Sequence, residues 1–106
     1  MVPPPYSSLS EGERVYNYEE VFDGARSNQE IFDKTMLTPI NNALNGFNST
    51  IFIYGMTGAG KTYTMFGNSH GHSFNQEGLV SMAIDYMFDQ IYQEKNVKSQ
   101  VSISFF

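Results

Sequence analysis

The 106-residue chain has no cysteine and no tryptophan. It therefore contains no disulfide, and no thiolate can ligate a metal. The absence of cysteine fits a reducing compartment. Basic residues are scarce, six Lys and Arg against eleven Asp and Glu, which gives a net charge of −5 and a pI near 4.7. That balance argues against nucleic acid and against an anionic membrane as partners. No apolar run approaches the ~20 residues of a spanning helix. The first ten residues lack the basic and apolar regions of a secretion signal. The expectation from these absences is a soluble intracellular protein. Proline is also rare: there are four, and three of them are consecutive, Pro3 to Pro5. With Ser7, Ser8 and Ser10 nearby, residues 1–14 read as a flexible lead-in.

Aromatic residues are plentiful, seven Tyr and nine Phe, within a hydrophobic fraction of 41%. Such a chain can bury a core, and its length suits one domain. Val15 to Phe22 reads as an extended, partly buried segment ended by Asp23-Gly24. Ser27 to Asn45 reads as a helix. Ser27 and Glu30 form a capping box, and Ile31, Phe32, Thr35, Leu37, Ile40 and Leu44 supply an apolar stripe. Pro39 lacks an N–H, and its ring clashes with the Thr35 carbonyl in a straight helix, so a kink or break is expected there. Asn45-Gly46 is the stop signal.

Thr50 to Tyr54 is a short β-branched and aromatic run, expected to be a buried strand. Lys61 to Phe66 continues as a short helix, and residues 67–77 form a polar loop. Leu79 to Gln93 is a second amphipathic helix, with Val80, Ile84, Met87, Phe88 and Ile91 on one stripe. Val101, Ile103 and Phe105 alternate with Ser102 and Ser104, the pattern of a half-buried strand. Two main helices with about three strands imply an α/β layer structure.

One motif carries chemistry. Gly55-Met56-Thr57-Gly58-Ala59-Gly60-Lys61-Thr62 fits the phosphate-loop pattern G-x-x-x-x-G-K-[ST]. Its glycines let successive backbone N–H groups turn inward on phosphate oxygens. The helix that follows adds its N-terminal dipole. Lys61 is placed to reach the β- and γ-phosphates of a nucleotide, and the Thr62 hydroxyl to coordinate Mg²⁺. The strand before the motif and the helix after it are the context it requires. Elsewhere the plain readings prevail. His70 and His72 are two ligands without a third. Asp85 and Asp89 form a solvated helix face. Met36, Met65, Met82 and Met87 are core filler.

The surrounding residues extend the pattern. Tyr16-Asn17-Tyr18-Glu19-Glu20-Val21-Phe22, Asn28-Gln29-Glu30-Ile31-Phe32 and Leu44 to Thr50 come before the loop. Ile53 to Met65 contains it, and Gly78-Leu79-Val80 and Val101 to Phe106 follow. In this order and at this spacing, they resemble kinesin segments: F-x-F-D-x-V-F, Q-E-x-V-Y, L-x-G-Y-N-G-T, A-Y-G-Q-T-G-[SA]-G-K-T-[YFH]-T-M, G-I-I-P-R and the strand before E-I-Y-N-E. The resemblance runs from about Tyr16 to Phe106. It implies that residues 15–106 are the N-terminal part, about a third, of a kinesin motor domain with the P-loop NTPase type of fold. It implies ATP or ADP with Mg²⁺ as cofactors, Gly55 to Thr62 on the phosphates, Thr62 on Mg²⁺, and Phe32 packed on the adenine. It further implies a microtubule partner and a place on the cytoskeleton in the cytoplasm.

Met56 stands where the family has Gln, and Ser81-Met82 stand where it has Pro-Arg. The family's R-x-R-P strand, its N-x-x-S-S-R-S-H and D-L-A-G-S-E switch segments and its basic microtubule-facing elements have no counterpart in these residues. The chain by itself is therefore expected to show weak or no ATPase and weak microtubule binding, with no complete catalytic set. Exposed sheet edges should make it self-associate, swap elements or stay partly ordered. Two alternatives stand beside this reading. One is a different small P-loop enzyme, although the only arginines, Arg14 and Arg26, precede the loop. The other is a non-catalytic interaction domain that retains the loop sequence.

Overall fold

The computed structural model describes residue 12, residues 14–68 and residues 76–106. The expected lead-in over 1–14 and the pair His70 and His72 lie almost wholly outside the described residues. Four helices follow in chain order: α1 (Asn28–Thr35), α2 (Leu37–Leu44), α3 (Lys61–Phe66) and α4 (Leu79–Gln93).

The expected N-terminal signal of α1 is realised. The Glu30 N–H donates to Ser27 Oγ at 3.2 Å, and the Ser27 N–H donates to Glu30 Oε2 at 3.0 Å. Two backbone donors that a helix start leaves orphaned are satisfied this way. Arg26 adds a third partner, its guanidinium donating to Glu30 Oε1 at 3.0 Å. The Ser27 backbone N–H first, and then the Arg26 side chain, hold the Glu30 carboxyl below the usual carboxylate range.

The stretch Ser27 to Asn45 forms two helices: the interruption expected at Pro39 is a break, and it falls at Met36, three residues earlier. The physical reason is Pro39 itself. It cannot return an N–H to Thr35, so α1 ends at Thr35 and Pro39 falls in the first turn of α2, where free N–H groups are normal. Apolar burial bridges the break, because Phe32, Met36 and Ile40 are all buried. Helix α2 then stops as expected: the Phe47 N–H bonds the Asn42 carbonyl and the Gly46 N–H bonds the Ala43 carbonyl, both at 3.0 Å. These are the paired bonds of a Schellman ending.

Phe32, Met36 and Ile40 pack with Leu79 and Met82 of α4, and Ile31, Leu37, Ile53, Ala83, Tyr86 and Met87 surround them. Helix α4 has the expected bounds, but its buried stripe is different. It runs through Leu79, Met82, Ala83, Tyr86 and Met87; of the expected stripe Met87 reaches the core, Val80, Ile84 and Ile91 are half-buried, and Phe88 is exposed. The helix is apolar on two sides, and α1 and α2 cover only one of them. The Tyr86 hydroxyl completes that interface by donating to Asn41 Oδ1 at 3.1 Å.

The expected strands are not formed. Among the described residues the β-structure is one isolated antiparallel bridge, between Gly67 and Glu77. Ile51 to Tyr54 and Val101 to Phe105 are irregular, and apart from half-buried Ile53 both are exposed; of Val15 to Phe22 only Phe22 is half-buried. A helix closes its hydrogen bonds within its own segment, whereas a strand requires a neighbour at ladder distance. None of the three segments has one.

Two backbones approach unusually closely where α3 meets α4. A Cβ on Gly78 would lie 2.3 Å from the Phe66 carbonyl carbon and 2.4 Å from the Gly67 nitrogen, and a Cβ on Gly67 would lie 2.2 Å from the Gln76 carbonyl oxygen. No side chain fits at either position. Gly78→Ala should therefore separate α3 from α4 and lower the thermal midpoint, followed by circular dichroism at 222 nm. Gly24→Ala meets nothing within 4 Å and should leave it unchanged. Ser27→Ala, which removes the cap, should cost about 1 kcal/mol. Equal midpoints for Gly78→Ala and Gly24→Ala would contradict the close approach.

The Glu30 shift gives a pH dependence with a defined sign. Its carboxyl is lowered in the folded chain, so its contribution is complete above the ordinary carboxylate pKa and is lost as pH falls through the folded value. An acid titration of helicity should show this loss in the wild type and not in Glu30→Gln. Identical acid profiles would count against the capping role.

Candidate nucleotide-phosphate site

The Gly55 to Thr62 motif forms a curled loop that runs directly into α3. The Ala59 N–H donates to the Met56 carbonyl at 3.1 Å. Gly58, the third residue of that turn, has φ +81°, as a type II turn requires. Gly60 has φ +95° and is the N-cap of α3. Its carbonyl accepts the Thr64 N–H at 2.9 Å, the first bond of the helix. Side chains rarely adopt this left-handed conformation, so glycine is needed at both positions.

The loop closes tightly on itself. A Cβ at Gly55 would sit 3.3 Å from the Ala59 Cβ and within 4.0 Å of the Lys61 stem. Lys61 folds back across the loop, and its ammonium donates to the carbonyls of Gly55 and of Met56, the latter at 2.9 Å. The one loop cation is therefore held over the loop mouth by backbone oxygens. An incoming phosphate would offer that ammonium stronger, charged acceptors in exchange. Thr62 is exposed on the first turn of α3, beside Lys61. Among the described residues no group of three His, Cys, Asp or Glu could hold a metal ion. The residues of the loop fit a phosphate chain: positive-φ glycines, an ammonium and a hydroxyl next to it.

Phe32 lies elsewhere. It is 4% exposed in the helical core, and its ring meets Tyr86 edge-on, with centroids 6.2 Å apart and planes at 69°. A ring packed in this way presents little free face to a base, so its position favours a core role over the adenine contact implied by the resemblance.

The region behind α3 contains residues that sequence patterns did not single out for the site. Asn28, at the start of α1, is 3% exposed. Its side-chain amide donates to the carbonyls of Tyr63, at 3.2 Å, and Glu77, at 3.0 Å. The Tyr63 hydroxyl donates to Gln76 Oε1 at 2.6 Å. The Asn68 N–H donates to the Gln76 carbonyl at 3.1 Å, beside the Gly67–Glu77 bridge. One sequence signal was available for Asn28: it extends the four-residue spacing of Phe32, Met36 and Ile40, placing a polar residue on the buried face.

With this geometry established, comparison with known proteins gives a consistent answer. The family model for the kinesin motor domain matches residues 6–106. The chain belongs to the kinesin family. It is 32% identical over 101 residues to the kinesin-like protein KIF3C of Bos taurus, a match covering 95% of this chain and 12% of that protein. It is 31% identical over 100 residues to the kinesin-like protein KIN-5C of Nicotiana tabacum, covering 88% of this chain and 10% of that one. Against the kinesin-like protein KIP2 of Saccharomyces cerevisiae it is 38% identical over 79 residues, with 74% and 10% covered. The chain thus spans only 10–12% of the length of these relatives. Kinesin membership implies the P-loop NTPase fold, of which the described residues show helices and the loop but no strand layer. It also decides against an unrelated small P-loop enzyme.

The loop geometry has a direct test. Gly58→Ala and Gly60→Ala each force a side chain into the left-handed region, at about 1–2 kcal/mol apiece. Amide exchange measured by NMR should quicken across residues 55–64 in both variants and stay unchanged in α4. Unchanged exchange in the loop would show that it does not need these φ values.

Proposed function

We propose that Gly55 to Thr62 of this kinesin bind the β- and γ-phosphates of ATP or ADP, and that the chain is the nucleotide-binding part of a microtubule-based motor. One observation carries the reading: a G-x-x-x-x-G-K-T loop with positive φ at Gly58 and Gly60 opens directly into a helix with Lys61 folded over its mouth. The backbone N–H groups of the loop and the start of α3 face negative charge, and Lys61 moves from the Gly55 and Met56 carbonyls to the phosphate oxygens. Thr62 offers its hydroxyl to Mg²⁺, and the metal neutralises charge on the phosphate oxygens.

In the longer kinesin, nucleotide binding and hydrolysis at this loop would be coupled to movement along microtubules, which places the protein on the cytoskeleton. The 106 residues alone hold the phosphates without completing the reaction. Phosphoryl transfer also needs a positioned water and charge stabilisation around the γ-phosphate, and no residue near the loop is assigned to either task. The unpaired segments Ile51 to Tyr54 and Val101 to Phe105 have the composition of sheet strands. They would pair with further strands of the motor domain or, in their absence, with a second copy of the chain.

Calorimetric titration with Mg·ATP tests the reading. The wild type should bind, and Lys61→Ala should weaken binding at least about tenfold, the scale of a lost charge-assisted hydrogen bond. Equal affinity in the two would overturn it. Steady-state turnover of the chain should stay at background with or without microtubules, and microtubule-stimulated turnover would contradict the assignment of a binding role only. In sedimentation, the apparent mass should rise with concentration. A compact monomer at all concentrations would rule out strand pairing between copies.

A further inference from the structure

Asn28 is the buried polar side chain of the described residues, and the phosphate loop makes no contact with it. Its position nonetheless bears on the loop. Helix α3 is six residues long and contains no buried residue, so apolar packing does little to fix its orientation. The loop runs into α3 without a break, and whatever orients α3 also orients Lys61 and Thr62. Two features hold the far end of that helix. One is the close approach of Gly67 to Gly78, and the other is the Asn28 amide.

The hydrogen-bond chemistry of that amide is specific. Its partners, the carbonyls of Tyr63 and Glu77, are both acceptors, so only the NH₂ group can serve them and the orientation of the amide is forced. Tyr63 lies two residues beyond Lys61, and its carbonyl also accepts the Gly67 N–H at 2.8 Å. Glu77 comes immediately before Gly78, the N-cap of α4. A single side chain therefore joins the first turn of α1 to the last turn of α3 and to the entrance of α4. Its own backbone is fixed by the Ser27–Glu30 capping box next to it.

We propose that Asn28 is a positioning residue for the phosphate loop: by donating to Tyr63 and Glu77 it sets the orientation of α3 and hence the reach of Lys61 and Thr62 to the nucleotide phosphates. The proposal rests on the reading that the loop binds a nucleotide. It assigns Asn28 no contact with that nucleotide.

Asn28→Asp is the discriminating variant, because it keeps the shape of the side chain and replaces both donors with acceptors. At pH 7.5 its affinity for Mg·ATP should fall about tenfold or more, the scale expected when buried polar groups lose their partners. Once protonated, an aspartic acid regains one donor. The ratio of variant to wild-type affinity, measured at each pH, should therefore recover as pH falls, and a residue that only filled space would not produce such a profile. Asn28→Ser, smaller and with one donor, should fall between the two and provides the comparison if the aspartate variant does not fold. Wild-type affinity in Asn28→Asp, or a loss that does not vary with pH, would overturn the proposal.

Failure of the underlying reading is separable. If the wild type itself does not bind Mg·ATP, the nucleotide assignment fails. The positioning claim is then decided by amide exchange without nucleotide. Exchange at Thr64 and Gly67 should be about tenfold faster in Asn28→Asp and unchanged at Met36 and Ile40. Equal exchange at Thr64 and Gly67 would remove the positioning role as well.

Discussion

Gly67 and Gly78 touch backbone to backbone, and the placement of the phosphate loop depends on that contact. Helix α3 is too short and too exposed to be held by burial. It hangs from the remainder of the molecule at its C-terminal end, where two chain segments meet so closely that neither tolerates a Cβ. The Asn28 amide locks the same junction from the α1 side. The apolar core continues along the same face of α1 beyond Asn28, where Phe32, Met36, Ile40, Leu79 and Met82 interlock. Packing forms the platform, and a small polar junction attaches the loop to it.

The same division explains what folds and what does not. Helices complete their backbone hydrogen bonds from their own sequence, and α1, α2 and α4 then need only one apolar face covered. Strands have no such independence. Ile51 to Tyr54 and Val101 to Phe105 carry β-branched and aromatic residues in the pattern of a sheet, but these residues remain exposed because nothing lies beside them. The second apolar side of α4 carries Val80, Ile84 and Ile91, which are half-buried, and Phe88, which is exposed. The family relationship, in which this chain corresponds to about a tenth of each relative's length, gives these unpaired surfaces a natural meaning.

Much of this was legible in the sequence, for identifiable reasons. The Ser27–Glu30 box, the Asn45-Gly46 stop, the bounds of α4 and the glycine spacing of the loop are local signals, and local physics decides them. Pro39 is legible as the cause of a break, but the break falls at Met36, three residues before it. The chain accommodates it by ending α1 early and using Pro39 where a missing N–H costs nothing. The face of α4 is only partly legible, Met87 being the expected residue that reaches the core, because the helix has two apolar stripes and only its neighbours determine which one is covered. The place of Phe32 on the apolar stripe is legible in its spacing, and the ring is buried in the core; contact with an adenine is implied by the resemblance alone. Asn28 could not be given a role from sequence, because its partners are 35 and 49 residues away.

The central claim is that a locally bonded helical platform carries the loop through the Gly67–Gly78 junction while the strand-like segments stand free. Amide-resolved hydrogen exchange on the monomeric wild type, at low concentration, tests it most directly. The account predicts protected amides in α1 and α4 and at Gly67, with Ile51 to Tyr54 and Val101 to Phe105 exchanging at the rates of an open chain. Protection of Ile51 to Tyr54 equal to that of α4, or an unprotected Gly67, would contradict it.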